Sequence, residues 1–221
     1  LDPSGALWWP ARAVLIVADL HLEKGAAFAR RGRFLPPYDT LATLFRLETV
    51  IAARRPCTVV CLGDAFHDRA GPLELDTTLR ERLARLVDRQ PWVWIAGNHD
   101  PELPASLGGD PVEQLELDGL VLRHAPTGVP GEVAGHLHPK ARIASRHVRA
   151  ARPCFVSDGM LLLLPAFGAL TGGLDVHDPA ISGLFPRGFT AHLLGETRVF
   201  PVPKANLAPA LAGNRHRLMP A

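Results

Sequence analysis

The chain has 221 residues, of which 47% are hydrophobic and 21% charged, with a formal net charge of +2. This balance fits one globular domain with a sizeable core. No apolar run reaches the roughly 18 residues of a membrane span, and no basic stretch leads into an apolar secretory signal, so the expectation is a cytoplasmic protein without a membrane partner.

Along the chain, Ala13–Ala18, Thr58–Leu62 and Trp92–Ala96 are apolar runs of strand length. Strands this apolar are expected to be buried on both faces of a sheet. Between them, Leu41, Leu44, Phe45 and Ile51 recur at helical spacing with Asp39 or Thr40 as N-cap. Leu79, Leu83, Leu86 and Val87 do the same with Asp76 as N-cap. The second half changes character. Residues 120–122, 132–134, 161–164, 191–194 and 198–200 are short strand candidates with no long helix between them. The predicted fold class is therefore α/β, with two packed mixed β-sheets flanked by helices. Residues 1–200 are read as one domain and 201–221 as a Pro/Ala-rich tail.

Some residues are expected to be structural. Cys57, Cys61 and Cys154 lie in apolar runs and are expected to be buried free thiols. Trp92 and Trp94 are expected in the core, whereas Trp8 and Trp9 are candidates for base stacking. His177, His192 and His216 lack a motif context and are read as structural or surface residues. The chain begins at Leu1 rather than Met, so its native start is expected upstream.

Charge is unevenly spread. Lys140, Arg142, Arg146, Arg149 and Arg152, with His147, form a segment without acids, and Arg30, Arg31 and Arg33 form a second cluster. Acids collect at Glu113, Glu116 and Asp118. Such faces are either solvated or line a groove for a polyanion.

The chemistry sits at the ends of the apolar runs. Asp19-Leu20-His21 closes the first, Gly63-Asp64 the second and Gly97-Asn98-His99-Asp100 the third; His124 and Gly135-His136-Leu137-His138 follow in the second half. Ligands of open α/β sheets gather beyond the carboxyl ends of strands. If the motifs are extended, Asp19 with His21 and His136 with His138 each point to one side. The glycines at 63, 97 and 135 suit tight turns. Carboxylate, imidazole and one amide, with no thiolate, suit Mn²⁺, Fe or Zn²⁺. Two divalent ions against Asp19 and Asp64 would leave a site of net charge about +2, favouring a bridging hydroxide and a phosphate.

These motifs resemble the calcineurin-like metallophosphoesterase superfamily over roughly residues 13–200. The resemblance implies an αββα sandwich. It also implies two divalent metal ions, with manganese first and Fe or Zn²⁺ as alternatives. Asp19, His21, Asp64 and His138 would hold one ion; Asp64 would bridge to a second held with Asn98, His124 and His136. His99 would protonate the leaving oxygen or stabilise the transferring phosphoryl group. His67 stands where many members have the Asp that orients this histidine, and is the other candidate catalytic residue. His124 is followed by Ala125-Pro126 where a Gly is often found.

Asp19-Leu20-His21-Leu22-Glu23-Lys24, the stretch 30–40, Leu164–Gly168 and Thr171-Gly172-Gly173 resemble the ligase-associated DNA damage response endonuclease family. That resemblance implies a DNA phosphodiesterase or endonuclease in repair, associated with a DNA ligase, a helicase and a nuclease. Lys24, Arg30 and Arg31 are candidate substrate contacts. The alternatives are a phosphomonoesterase, a phosphodiesterase for small or cyclic nucleotides, and a non-catalytic protein-binding scaffold.

Overall fold

The computed structural model describes residues 1–144 and 149–209. Arg146, His147, His216 and the end of the expected tail, 210–221, lie outside the described residues.

In chain order the strands are β1 (Leu7–Trp9), β2 (Val14–Val17), β3 (Thr58–Leu62), β4 (Trp92–Ile95), β5 (Asp110–Val112), β6 (Gln114–Leu117), β7 (Leu120–Arg123), β8 (Glu132–Ala134), β9 (Lys140–Ala144), β10 (Arg149–Ser157), β11 (Leu161–Leu163), β12 (Thr190–Leu194) and β13 (Val199–Pro203). The helices are α1 (Lys24–Arg30), α2 (Asp39–Arg54), α3 (Gly71–Glu74), α4 (Thr77–Val87) and α5 (Pro179–Ser182). The first sheet has five strands in the order β1-β2-β3-β4-β5. β2 to β5 run parallel, and β1 closes the edge antiparallel to β2. The second sheet runs β13-β12-β10-β11-β8-β7-β6, with β9 on β10. It is mixed: β7, β8 and β11 are parallel and the other pairs antiparallel.

Alternation along β2 and β3 explains the layering. Leu15, Val17, Val59 and Cys61 pack with Leu44 and Leu47 of α2 and Leu83 and Leu86 of α4. Val14, Ile16, Val60 and Leu62 pack instead with Leu122, Val133 and Phe155 of the second sheet. The outer face of that sheet is covered by Val176, Ile181, Phe185 and Phe189 around α5. Helices, two sheets and a short helical cover therefore make the expected αββα sandwich.

Several local expectations are corrected. Asp76 caps α4, accepting from the Leu79 amide at 2.9 Å, but neither Asp39 nor Thr40 caps α2. The Asp39 carboxylate accepts the Gly25 amide, and Thr40 is engaged with Glu23. Leu41 and Phe45 are exposed; the buried stripe of α2 is Thr40, Thr43, Leu44, Leu47, Val50 and Ile51. Cys57 is exposed, whereas Cys61 and Cys154 are buried. Trp92 and Trp94 are in the core as expected, while Trp8 and Trp9 belong to the half-buried edge strand β1. The basic segment after His138 supplies β9 and β10, a strand pair that its charge obscured.

Candidate metal centre

The loops after β2 and β3 are laced together by main-chain bonds. The His21 amide donates to the Asp64 carbonyl at 2.9 Å, the Leu22 amide to Ala65 at 2.9 Å and the His67 amide to Leu22 at 2.9 Å. The expected extended geometry of the ligand motifs is not what forms. Asp19, His21, Asp64, His136 and His138 all have positive φ, between 44° and 69°. Alternating left-handed residues bring side chains i and i+2 to one cavity. Each such non-glycine residue costs on the order of 1–3 kcal/mol and persists because its surroundings hold it. One such hold is the His136 amide, which donates to both Asp19 carboxylate oxygens at 2.9 and 3.1 Å.

The glycines also act differently from one another. Gly63 has a φ of +74°, which is a turn requirement. Gly97 and Gly135 are required by crowding. A Cβ on Gly135 would lie 2.7 Å from Asp19 Oδ2, and one on Gly97 would overlap the Asp64 amide and carboxylate.

All seven expected ligands meet at this end of the sandwich. His21 Nε2 lies 3.2 Å from His138 Nε2, and His138 Nε2 lies 3.5 Å from Asp19 Oδ1. On the other side, His124 Nε2 lies 2.9 Å from Asn98 Oδ1 and 3.1 Å from His136 Nδ1. Asp64 stands between: Oδ2 is 3.7 Å from His21 and Oδ1 is 3.5 Å from His124. Two compact donor groups result, Asp19/His21/His138 and Asp64/His124/His136, each with its atoms within 4.8 Å of one another. Ligands about 2.1 Å from one ion at near-right angles are about 3 Å apart, so these separations fit coordination.

The protonation chemistry fits it too. Burial first, then His138, lowers the His21 pKa well below the usual imidazole range, and burial followed by His124 lowers that of His136. Both shifts favour the neutral imidazole, the form whose bare ring nitrogen can coordinate a cation. His124 is oriented to coordinate through its outer nitrogen, since Nδ1 donates to the Leu62 carbonyl at 2.9 Å and leaves Nε2 bare.

His99 is half-exposed at the rim. Its amide donates to Asp64 Oδ1 at 3.0 Å, and its Nε2 is 3.9 Å from Asp64 Oδ2. His67 stacks on it with ring centroids 5.2 Å apart and planes 21° apart. Burial first, then Lys24, holds the His67 pKa at about 4. A neutral ring therefore lies against His99 where an orienting carboxylate would otherwise stand. Asp68 is turned away, accepting the Ala70 and Gly71 amides. Arg30 pairs with Asp68 and Glu74 at the surface, whereas Lys24 lies beside Phe28, whose ring is 5.5 Å from that of His67. Arg31 is exposed just past α1.

Two further features have roles that their sequence context did not reveal. Asp100 accepts the Phe66 amide at 2.8 Å and so anchors the loop after β3. Its burial, with Asp64 adding repulsion, raises its pKa to about 7. The 165–168 loop lines the back of the site: the Phe167 and Gly168 amides donate to the Ala18 and Asp19 carbonyls at 2.8 and 3.0 Å.

A sandwich with a His/Asp donor cluster at its strand ends defines a metal-dependent phosphoesterase. The family model for calcineurin-like phosphoesterases matches residues 13–153. The chain belongs to that family. It is similar to a solved nuclease from Pseudomonas putida, MPE, at 32% identity over 91% of this chain and 94% of that one, with a TM-score of 0.70. YfcE, a phosphoesterase from E. coli, is a distant likeness at 16% identity over 86% of this chain and 97% of that one, with a TM-score of 0.43. A search of curated proteins found no match.

Proposed function

We propose that this phosphoesterase uses two divalent ions to cleave nucleic-acid phosphodiesters, with DNA as substrate and an endonuclease role in repair. The observation that carries the two-ion reading is Asp64, whose oxygens face opposite donor groups, Oδ2 toward His21 and Oδ1 toward His124. Asp19, His21, Asp64 and His138 would hold one ion, and Asp64, Asn98, His124 and His136 the other. Manganese is the first expectation for this donor set. When bound, the ions would activate water and neutralise charge on the phosphoryl oxygens.

The chain's own residues do the rest. His99, at the exposed rim, would donate a proton to the leaving oxygen or a hydrogen bond to the phosphoryl group. His67 would support it by holding the ring through stacking rather than by a carboxylate hydrogen bond. The 32% identity to the P. putida nuclease and the basic Lys24, Arg31, Lys140 and Arg152 support a polynucleotide substrate. The local strings shared with the ligase-associated endonuclease branch support association with a ligase, helicase and nuclease. Residues 1–200 are read as the catalytic domain.

The test is a panel of single-stranded DNA, duplex DNA, RNA, a model diester and a model monoester, each with Mn²⁺ and other divalent ions. Cleavage of DNA is expected. Robust monoester hydrolysis with no DNA cleavage would overturn the nuclease reading. Asn98→Ala and His136→Ala are expected to lose turnover together with metal, whereas His99→Ala should keep metal and lose about 10²–10⁴-fold in rate. Full activity of His99→Ala on a diester with a poor leaving group would remove its assigned role.

A further inference from the structure

We propose that Arg46, on α2 and outside the metal centre, is a positioning residue for Asp19. It holds the Phe167 ring, and through that ring the loop whose amides fix the ligand's backbone. The inference rests on the reading of Asp19 as a metal ligand and extends it to the element that keeps the ligand in place.

Asp19 has a φ of 54°, a conformation that a non-glycine residue keeps only when its neighbours hold it. The peptide groups on either side of it are held by one loop. The Phe167 amide donates to the Ala18 carbonyl at 2.8 Å, just before the Asp19 Cα, and the Gly168 amide to the Asp19 carbonyl at 3.0 Å, just after it. Together these bonds restrict both backbone angles that aim the carboxylate. The contact has no slack. A Cβ on Gly168 would lie 2.3 Å from the Leu20 carbonyl oxygen, so the loop presses on the residue between the ligands Asp19 and His21.

α2 holds this loop from its other side. The Ala169 amide donates to Thr43 Oγ1 at 3.0 Å, and that hydroxyl donates to the Asp39 carbonyl at 2.8 Å. One turn further along the same face of α2, the Arg46 guanidinium lies 4.2 Å from the centroid of the Phe167 ring. The ring is fully buried. Arg46 forms no ion pair among the described residues, and its Nε is buried without a hydrogen-bond partner. A half-buried guanidinium without a counter-ion is costly, and attraction to the aromatic face offsets that cost. The attraction is directional, so it sets the orientation of Phe167 as well as its burial. Arg46 therefore reaches Asp19 through one side chain and the two amide bonds beside it. Residues 165–169 make no main-chain bond to Asn98, His124 or His136 among the described residues. The effect should fall mainly on the ion held by Asp19, His21 and His138.

The test titrates the metal-free full chain with Mn²⁺ by calorimetry, alongside thermal melts without metal. Arg46→Met removes the cation and keeps most of the apolar stem, Arg46→Lys keeps a cation, and Phe167→Leu removes the aromatic face. Arg46→Met is expected to weaken one of two Mn²⁺ binding steps about 10-fold, the low end of what losing a ligand's supporting partner costs, with the other step within about threefold. Arg46→Lys should recover most of that loss. Phe167→Leu should weaken the same step, and adding Arg46→Met to it should change nothing further, because the pair acts as one unit. If Arg46→Met does not fold, Arg46→Gln carries the same expectation. A lower metal-free Tm with both Mn²⁺ steps unchanged would reduce Arg46 to packing and overturn the proposal. A loss that Arg46→Lys does not recover, or additive losses in the double variant, would overturn it too. Wild-type protein that binds no divalent ion would instead remove the metal reading itself, and the positioning role with it.

Discussion

Asp64 and its neighbours show how far residue types alone can lead. Asp, His and Asn at strand ends are legible because few other arrangements place so many hard and borderline donors in that order. The conformation that aims them is not legible. Nothing about Asp19 or His138 as residue types announces a positive φ, because the hydrogen bonds that hold such loops come from residues as distant as Gly63 and Asp64. The same holds for Arg30, whose partner Asp68 is 38 residues away, and for the stack of His67 on His99. The environments of His67 and Asp100 yield a prediction with opposite signs. The folded pKa of His67 is depressed from 6.5 to about 4, so its contribution to stability is present above 6.5 and lost as pH falls toward 4. The folded pKa of Asp100 is raised from 3.8 to about 7, so its contribution is present below 3.8 and lost as pH rises toward 7. In the metal-free protein, His67→Asn should flatten the rise of unfolding free energy between pH 4.5 and 6.5, and Asp100→Asn should steepen it. Each change should be under about 1.4 kcal/mol per pH unit, the limit for one proton. Denaturant titrations across that range would show it; equal slopes for the three proteins would contradict both assignments.

At the scale of elements, what was legible followed from periodicity. β2, β3 and β4 are continuous apolar runs because both of their faces are covered. β5 and β9 carry no such run: Asp110 and Pro111 of β5 are exposed, and in β9 Lys140 and Arg142 alternate with Ala141 and Ile143, which pack on the core. α2 was legible as a helix but its orientation was not, because Leu41 and Phe45 fall on the same spacing as Leu44. The buried set shows the rotation: Leu44 and Leu47 are 0% exposed, against 44% for Leu41 and 63% for Phe45. Leu47→Ala should therefore destabilise the fold by about 2–5 kcal/mol through the cavity it leaves. Phe45→Ala should stay within about 0.5 kcal/mol, as surface changes do. Chemical denaturation of the two variants checks the assignment, and a cost of several kcal/mol for Phe45→Ala would mean that this face is covered in the folded protein. The inner stripe of α2 packs on β2 and β3, the strands whose ends carry Asp19 and Asp64.

For the whole molecule, the important fact is that the donors come from both sheets. Asp19, Asp64 and Asn98 follow β2, β3 and β4 of the first sheet, while His124, His136 and His138 follow β7 and β8 of the second. A cation held by both sets would cross-link the layers at the end where two buried carboxylates and several left-handed residues weigh against folding. Binding to the folded state alone stabilises by about 2.7 kcal/mol when free metal exceeds Kd 100-fold. At about 2–4 °C per kcal/mol for a chain of this size, Mn²⁺ should raise the Tm by about 5–10 °C over the chelated protein. The shift separates ligand from catalyst. Asn98→Ala and His136→Ala should lose most of it, whereas His99→Ala should retain it while losing rate. Thermal melts at several Mn²⁺ concentrations, paired with turnover on the model diester, provide the measurement. A His99→Ala protein that lost the metal-dependent shift as completely as His136→Ala would place His99 among the ligands. A wild-type Tm indifferent to every divalent ion that supports turnover would show that the cations do not join the sheets.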